Sequence, residues 1–348
     1  MSITNEDLAP LMNRPAVDPA PRPPILPAVQ PPSQADPKQC TAAPAVSVII
    51  PTYNRAHLLN QALDSVAAQT FRDYEIIVID DGSNDQTRDS MAGRREPICY
   101  HWQQNQGVAE ARNHALRLTH SEYVAFLDSD DLWEPDFLQR AITRLREHPD
   151  EALVYTDFVS TDVDGKPLGG HRKTPHGGSV TARLFASTFI HTSAVVARAH
   201  IIRDAGGFDG RLTHNEDYDL WLRLSLRHKF GLIPEPLCRR RCHQFSLSRA
   251  GCQPETLLTK AELLDHFYQH NGGQEWISPE AARRRLGKLY YSAGKRFLKA
   301  HRPLAAVPIL RRAIQLNPRR LRNYLWYLLA KAGGIRHQPP QHQPRASR

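Results

Sequence analysis

Short apolar runs alternate with longer segments of helical spacing between about residues 46 and 127. Four runs of apolar residues predict strands, at 46–50, 75–79, 99–102 and 123–127. Apolar positions three and four residues apart predict helices at 57–69 and 107–118. Strands that alternate with helices are typical of an α/β fold, in which helices cover a mostly parallel central sheet. A less regular set of elements is expected from residue 152 to about residue 249.

The two ends of the chain have different patterns. Residues 1–44 contain eleven prolines and no apolar periodicity, which predicts a disordered arm because so little apolar surface cannot offset the entropy of ordering. Helical spacing returns at 281–300, 304–316 and 320–332. The predicted regions are therefore a Pro-rich arm at 1–44, an α/β domain at 45–252, a C-terminal α-helical region at 253–335 and a disordered tail at 336–348.

Composition and charge limit the partners, the cellular location and the cysteine chemistry that this protein can have. The formal charge of +9 at pH 7 favours an anionic partner such as a nucleotide diphosphate, nucleic acid or an acidic membrane surface, and charge alone does not choose among them. No apolar run approaches the roughly 20 residues that cross a bilayer, and the start of the chain lacks a signal pattern, so we expect a cytoplasmic protein. Five scattered cysteines predict reduced thiols, because their spacing matches neither a disulfide framework nor a common zinc site.

Three carboxylates follow the apolar run at 123–127. Asp128 and Asp130 flank a single residue, so in an extended chain their side chains leave on the same face. Ligands of an open α/β sheet bind at the carboxyl ends of its strands, and hard oxygen ligands suit Mg²⁺ or Mn²⁺ bound together with a substrate phosphate. The alternative is that Asp130 or Asp131 caps a helix that begins near Pro135, which would account for one carboxylate only.

Two other acidic pairs lie in informative places. Asp80 and Asp81 follow the second predicted strand, where a carboxylate can accept a hydrogen bond from a base or a ribose, although an Asx-turn would also use one of them. Glu216 and Asp217 begin a predicted helix. Helix capping explains this pair, but a site with a metal-bound diphosphate also needs a base that takes a proton from the nucleophile.

The turn after the first strand excludes two common nucleotide-binding folds. Residues 51–55 read PTYNR and contain no glycine, whereas a dinucleotide-binding fold needs a glycine-rich turn at this point. The chain also lacks the glycine-lysine loop of the P-loop proteins. A diphosphate would therefore have to be neutralised by a metal ion and by side chains.

Five motifs occur in order and together carry a resemblance to a known family. They are VSVIIPTYNR at 46–55, IIVIDDGSND at 76–85, GVAEARN at 107–113, FLDSDD at 126–131 and ED at 216–217. This set closely resembles the family 2 inverting glycosyltransferases of GT-A fold, over roughly residues 45–250. The resemblance implies that the α/β domain has the GT-A nucleotide-diphospho-sugar transferase fold and that FLDSDD contains the DxD metal-binding motif.

The resemblance also implies a role for individual residues. Nucleobase contacts would come from Pro51, Tyr53 and Asp81, with Asp81 accepting from a uracil imide. Arg112 would face the diphosphate, and Asp128 would lie near the ribose and the metal.

The same resemblance assigns the metal and the base. Asp130 would ligate the divalent cation, Mg²⁺ or Mn²⁺, and Asp217 would be the catalytic base that deprotonates the acceptor hydroxyl. Arg241 and His243 resemble a pair that closes over the donor phosphates, with His243 assigned to the metal; the alternative is a surface-loop histidine. His191 is not included among the predicted site residues, because the sequence around it matches the family pattern only loosely.

The predicted enzyme is a hexosyl- or N-acetylhexosaminyl-type glycosyltransferase of bacterial surface polysaccharide synthesis. Its donor would be a nucleotide sugar, UDP-linked, and its acceptor a glycan or a lipid-linked molecule. Nucleic acid is not expected as a partner. The alternative is a catalytically silent GT-A-like interaction scaffold, which would have no need to keep Asp81, Asp128, Asp130 and Asp217 together.

Aromatic and basic residues in the last predicted helix raise the question of a membrane. Five arginines between residues 311 and 322 precede the segment 324–329, which reads YLWYLL. Such a helix suits the interface of an anionic membrane, and it predicts peripheral contact through the C-terminal helices on the inner face of the cell membrane. The alternative is that the same apolar residues close a helical bundle.

Overall fold

A computed structural model describes residues 43–91, 94, 96, 98–169, 176–243 and 253–336. The predictions for the Pro-rich arm and for the C-terminal tail lie outside the described residues, apart from their innermost positions. The chain divides near residue 250 into two compact units, and each is described here by itself.

The first unit is an α/β domain. Within the described residues, its strands are β1 (Val46–Thr52), β2 (Tyr74–Asp80), β3 (Ile98–Trp102), β4 (Tyr123–Phe126), β5 (Leu132–Trp133), β6 (Glu151–Thr161), β7 (Val195–Arg198) and β8 (Lys229–Arg241). Its α-helices are α1 (Ala56–Ala67), α2 (Val108–Leu118), α3 (Phe137–Glu147), α4 (Thr181–Ala186), α5 (Ala199–Asp204) and α6 (Glu216–Ser225). The strands and helices predicted between residues 46 and 127 are all present, with ends that differ by one or two residues.

All eight strands form one sheet in the order β3-β2-β1-β4-β7-β6-β8-β5. The first four pair in parallel, and every residue of β1 is buried, as expected for strands covered on both faces. In the second half β7 is antiparallel to both of its neighbours, and β5 is antiparallel to β8. The sheet is therefore mixed, with the parallel arrangement concentrated in the half that the sequence pattern predicted.

The register of the parallel strands brings three motifs to one edge. Thr52 at the end of β1 lies beside Asp80 at the end of β2, and Ile49 lies beside Phe126 at the end of β4. The segments that follow these strands therefore leave the sheet at the same place, which is where open α/β sheets bind ligands.

The second unit consists of α-helices in the described residues: α7 (Pro254–His270), α8 (Pro279–Lys299), α9 (Pro303–Leu316) and α10 (Leu321–Arg336). Three of the helices begin with proline, whose fixed φ and missing N–H suit a first helical position. The three predicted helices are present, and α7 is an addition to them. Gly294 of α8 lets α9 pack closely, because a Cβ atom there would lie 2.6 Å from Leu310 Cγ. In the described residues, no helix is both long enough and apolar enough to span a bilayer.

Candidate active site

The three aspartates after β4 form a compact acidic cluster. Carboxylate oxygens of Asp128, Asp130 and Asp131 all lie within 4.8 Å of one another. None of them caps the following helix, because α3 begins at Phe137 and its N-cap position is Asp136. The alternative interpretation as a helix cap is therefore wrong, and a different function must explain why these charges are placed together.

Asp130 lies between two cationic or titratable partners. Its Oδ2 atom is 3.0 Å from Arg55 Nη1 and 2.9 Å from His243 Nε2. Burial raises the pKa of Asp130, and the negative charges of Asp131 and Asp128 raise it further, against the opposing effect of Arg55. The structure thus brings together the two residues predicted to bind the metal, and it shows His243 buried within the site.

The residues of this cluster fit a divalent cation. Three carboxylates packed together repel one another, and a cation would relieve that repulsion. Carboxylate oxygens suit both Mg²⁺ and Mn²⁺, and an imidazole beside them is a further ligand for the softer Mn²⁺. Asp128, Asp130 and His243 are the residues that would hold it.

Asp131 organises the cluster from inside the protein. Its Oδ2 accepts hydrogen bonds from Ser193 Oγ at 2.5 Å and is 2.7 Å from His191 Nε2. Its Oδ1 accepts from the backbone N–H of Arg241 at 3.0 Å. Ser193 Oγ in turn accepts from the backbone N–H of Asp128 at 3.1 Å. The acidic loop is thereby fixed to β8 and to the short 3₁₀ helix Thr192–Ala194.

The predicted base lies at the start of α6. Asp217 Oδ2 accepts a hydrogen bond from Thr192 Oγ1 at 2.7 Å, and the side chain of Asp217 is only partly buried. Asn215 before it has a left-handed backbone with φ of 65° and makes no side-chain cap. A non-glycine residue in this region carries backbone strain, which is common at functional sites.

Arg112 of α2 connects the acidic cluster to Glu216, the residue next to the predicted base. Its Nη2 lies 2.6 Å from Asp128 Oδ1, and its Nη1 lies 2.7 Å from Glu216 Oε1. The guanidinium is 3% exposed and lies over the ring of Phe208, 5.2 Å from its centroid. Both Nη atoms therefore serve internal ion pairs, and the predicted contact between Arg112 and the donor diphosphate stays a prediction.

The buried carboxyl of Glu216 has a perturbed proton affinity. Burial, followed by the negative charge of Asp217, raises the pKa of Glu216 to about 7, although Arg112 opposes the shift. By contrast, Arg112 holds the pKa of Asp128 below its ordinary value even though burial opposes ionisation there. The two carboxylates that share Arg112 are thus expected to differ in protonation near neutral pH.

This difference predicts a pH-dependent contribution of Glu216 to stability. Between about pH 4.5 and pH 7 the folded protein holds a proton on Glu216 that the unfolded chain releases, so stability falls as pH rises through this window. We expect the melting temperature of the wild type, measured relative to that of Glu216→Gln, to fall as the pH rises from about 4.5 to 7. Glu147→Gln, at the exposed end of α3, is the control and should show no such trend. A constant difference between wild type and Glu216→Gln would contradict the assignment.

The three predicted nucleobase residues lie at the shared sheet edge. Pro51 is buried in β1, whereas Tyr53 just beyond it is 48% exposed. Asp81 is buried, and its two oxygens accept hydrogen bonds from Gln103 Nε2 and from the backbone N–H groups of Gln106 and Gly107, at 2.7–2.9 Å. A carboxylate offers about four acceptor positions, so Asp81 is held in place and keeps capacity for one more donor.

Arg241 is held by groups of the protein itself. Its guanidinium is buried and donates to the backbone carbonyls of Asp130 and Leu58 and to Gln61 Oε1. Arg241 thus ties β8 and α1 to the acidic loop, and the predicted contact between Arg241 and the donor phosphates stays a prediction.

Five residues outside the predicted set also build the site: Arg55, Asp131, His191, Thr192 and Glu216. Three of them, Arg55, Asp131 and Glu216, stand inside the recognised motifs, so the sequence contained a signal for these three. Thr192 and His191 carry no such signal. Their role depends on the packing of the 3₁₀ helix against the acidic loop and α6.

Comparisons with known proteins agree with this geometry. Residues 47–202 match the model of Glycosyl transferase family 2. An uncharacterized glycosyltransferase of Rickettsia typhi is 30% identical over 211 residues, which are 59% of this chain and 66% of the relative. The hyaluronan synthase of Pasteurella multocida is 29% identical over 217 residues, 60% of this chain and 22% of the synthase. The chain thus spans just under two thirds of the first relative and less than a quarter of the second.

Solved structures resemble the protein in fold. TarS 1–349 of S. aureus in complex with UDP-GlcNAc aligns with a TM-score of 0.55 and 18% identity, over 85% of this chain and 93% of that chain. The mannosyltransferase PcManGT of Pyrobaculum calidifontis in complex with GDP-Man and Mn²⁺ aligns with a TM-score of 0.50 and 20% identity, over 84% and 87% of the two chains. The predicted fold class, an α/β GT-A fold with C-terminal helices, is confirmed.

Proposed function

We propose that this chain, whose residues 47–202 match Glycosyl transferase family 2, transfers a sugar from a nucleotide-sugar donor to an acceptor hydroxyl, with inversion at the anomeric carbon. One observation is the main support for the proposal. The acidic cluster, the partly exposed Asp217 and the helix Thr192–Ala194 form a single hydrogen-bonded network at the carboxyl edge of the sheet. A base is thereby fixed next to a group of carboxylates suited to a metal-bound diphosphate.

Asp217 is proposed as the general base. Its Oδ2 is oriented by the hydroxyl of Thr192, and its Oδ1 accepts from the backbone N–H of Tyr218 at 2.7 Å. A carboxylate held in this way and still partly exposed can accept the proton of an acceptor hydroxyl as that oxygen attacks the sugar. The nearby carboxyl of Glu216 is engaged by Arg112 and buried, which favours Asp217 over Glu216 for this role.

Asp128, Asp130 and His243 are proposed to hold Mg²⁺ or Mn²⁺ together with the donor diphosphate. A divalent cation in such a site neutralises the charge that develops on the departing nucleoside diphosphate. Arg55 keeps Asp130 in place by an ion pair at 3.0 Å, and Asp131 holds the loop from behind through Ser193 and the backbone of Arg241. These contacts position the ligands before any donor binds.

The donor and the acceptor are proposed by class. Tyr53 at the exposed edge would stack on a nucleobase, and Asp81 would accept from the imide of uracil, so a UDP-sugar is the favoured donor. Two comparisons support a UDP-sugar as the class of donor. One is the relative that is a hyaluronan synthase, and the other is the structural neighbour bound to UDP-GlcNAc. We propose a glycan or a lipid-linked acceptor, in bacterial surface polysaccharide synthesis.

Metal-dependent donor binding tests the proposal. Calorimetry with UDP is expected to show binding in the presence of Mn²⁺ and its loss on chelation. Asp130→Asn should weaken UDP binding in Mn²⁺ by at least about 10- to 100-fold, because the loss of a group that merely supports a metal ligand already costs that much. Asp136→Asn, an acid just after the cluster that lies at the N-cap of α3, is the matched control and should bind as the wild type does. Equal affinity with and without chelator would refute the metal assignment.

A further inference from the structure

Helix α10 has an apolar face that the protein leaves exposed. The exposed residues recur at helical spacing, and their exposed fractions run from 38% to 82%: Leu321, Tyr324, Leu325, Leu328 and Leu329. We call this set the leucine face. Residues three and four positions apart lie on one side of a helix, so the five side chains form one continuous stripe.

The opposite side of α10 already has its packing partners. Asn323 and Ala330 are buried, and Asn323 Nδ2 donates to the backbone carbonyl of Ala313 in α9 at 3.1 Å. Trp326 and Tyr327 are half-buried, and Lys295 lies 4.9 Å from the centroid of the Trp326 ring. The helical bundle therefore packs against one face of α10 and leaves the leucine face exposed. A contiguous exposed apolar patch of this kind marks an interaction surface.

The charge of the chain is divided sharply along the sequence. Residues 281–348 contain 17 Lys and Arg and no Asp or Glu, whereas residues 1–280 contain 28 Lys and Arg and 36 Asp and Glu. The formal charge of +9 thus combines an acidic first part with a strongly basic last part. Arg319, Arg320 and Arg322 are exposed at the start of α10, next to the leucine face.

We propose that the leucine face is a docking surface for an anionic lipid membrane. An interfacial helix inserts apolar side chains at the boundary of the acyl chains while basic residues contact the headgroups, and α10 offers both elements side by side. A second copy of the chain fits poorly, since it would bring two strongly basic surfaces together. A soluble polyanion would use the arginines but would leave the leucines in water. The inference does not depend on the proposed transfer reaction.

Vesicle sedimentation of the full chain tests the proposal without any measurement of catalysis. The protein is expected to sediment with vesicles of phosphatidylglycerol and phosphatidylcholine at low salt, and to bind vesicles of phosphatidylcholine alone much less. Binding should weaken as salt rises, because the arginine contribution is screened. No binding to the anionic vesicles at low salt would overturn the proposal.

Matched variants locate the surface. Leu325→Ser with Leu328→Ser should lower the partition onto anionic vesicles by about tenfold or more, because two inserted apolar side chains are lost. Arg319→Gln with Arg320→Gln should lower it by about 30-fold, since each basic residue near the surface contributes roughly 1 kcal/mol. The control, Val163→Ser with Leu168→Ser, removes two comparably exposed apolar side chains from the α/β domain and should bind as the wild type does. Unchanged melting curves would show that each variant is folded.

Two other outcomes would also overturn the proposal. If vesicle binding is absent and Leu325→Ser with Leu328→Ser turns an oligomer into a monomer on size-exclusion chromatography, the leucine face joins copies of the chain. If vesicle binding is unaffected by the leucine changes, and heparin binding falls only with the arginine changes, the surface recognises a soluble polyanion.

Discussion

Asp217→Asn is expected to lower the rate of sugar transfer by about 10²- to 10⁴-fold, the range over which a positioned general base contributes. The change keeps the size of the side chain, and the hydroxyl of Thr192 can still donate to the amide oxygen. Donor affinity should therefore stay close to the wild-type value, because the residue acts on the acceptor proton rather than on the diphosphate. The measurement is turnover with a UDP-sugar and an oligosaccharide acceptor, with donor affinity measured separately by calorimetry.

Asp219→Asn is the matched control for this experiment. Asp219 also lies in the first turn of α6, where it pairs with Arg223 at 2.8 Å, so the control removes an acidic charge from the same helix end without touching the network of Thr192. Its rate should stay within a few-fold of the wild type. If Asp217→Asn also kept near wild-type turnover, the base would lie elsewhere, and Glu216 would be the next residue to test.

Arg112→Met is expected to cause the largest loss of stability, about 3–5 kcal/mol, because it leaves the carboxylates of Asp128 and Glu216 buried without their shared cation. Methionine retains much of the apolar stem of Arg112 and loses the guanidinium that makes both ion pairs and lies over the ring of Phe208, so the loss reports mainly on charge. Urea unfolding, followed by circular dichroism at neutral pH, measures the difference in free energy of unfolding.

A double variant identifies the cause of that loss. In a Glu216→Gln background one of the two buried carboxylates that Arg112 pairs with is already gone, so Arg112→Met should cost less than it does alone. Arg117→Met, near the end of the same helix α2, controls for the general effect of removing an arginine there and should be close to neutral. If Arg112→Met unfolded at the same urea concentration as the wild type, the buried ion pairs would contribute nothing to stability.

The sequence alone determined the α/β half of the fold that begins at residue 46. Continuous apolar strands such as β1 predict burial on both faces, and that burial requires helices between parallel strands. The carboxyl ends of parallel strands share an edge, so the meeting of Tyr53, Asp81 and Asp128 at one place also followed from the pattern. The clustering of Asp128 and Asp130 also followed from their spacing, whereas a place for His243 beside them was implied only by the family resemblance.

Only the tertiary structure decided how the charged residues pair. Arg112 and Arg241 both carried motif signals for the donor, yet one bridges Asp128 and Glu216 and the other binds Gln61 and two backbone carbonyls. A guanidinium has five donors and takes whichever acceptors the fold places around it, and those acceptors come from segments up to 183 residues away in sequence. Sequence spacing contains no information about such distant partners.

The exposed side of α10 shows the same division between sequence and structure. Its sequence is apolar around most of the helix, and both a bundle and a membrane interface were consistent with that pattern. The structure assigned Asn323 and Ala330 to the bundle and left the leucine face uncovered. A single helix pattern records which residues avoid water, whereas the fold decides which of them find a partner within the chain.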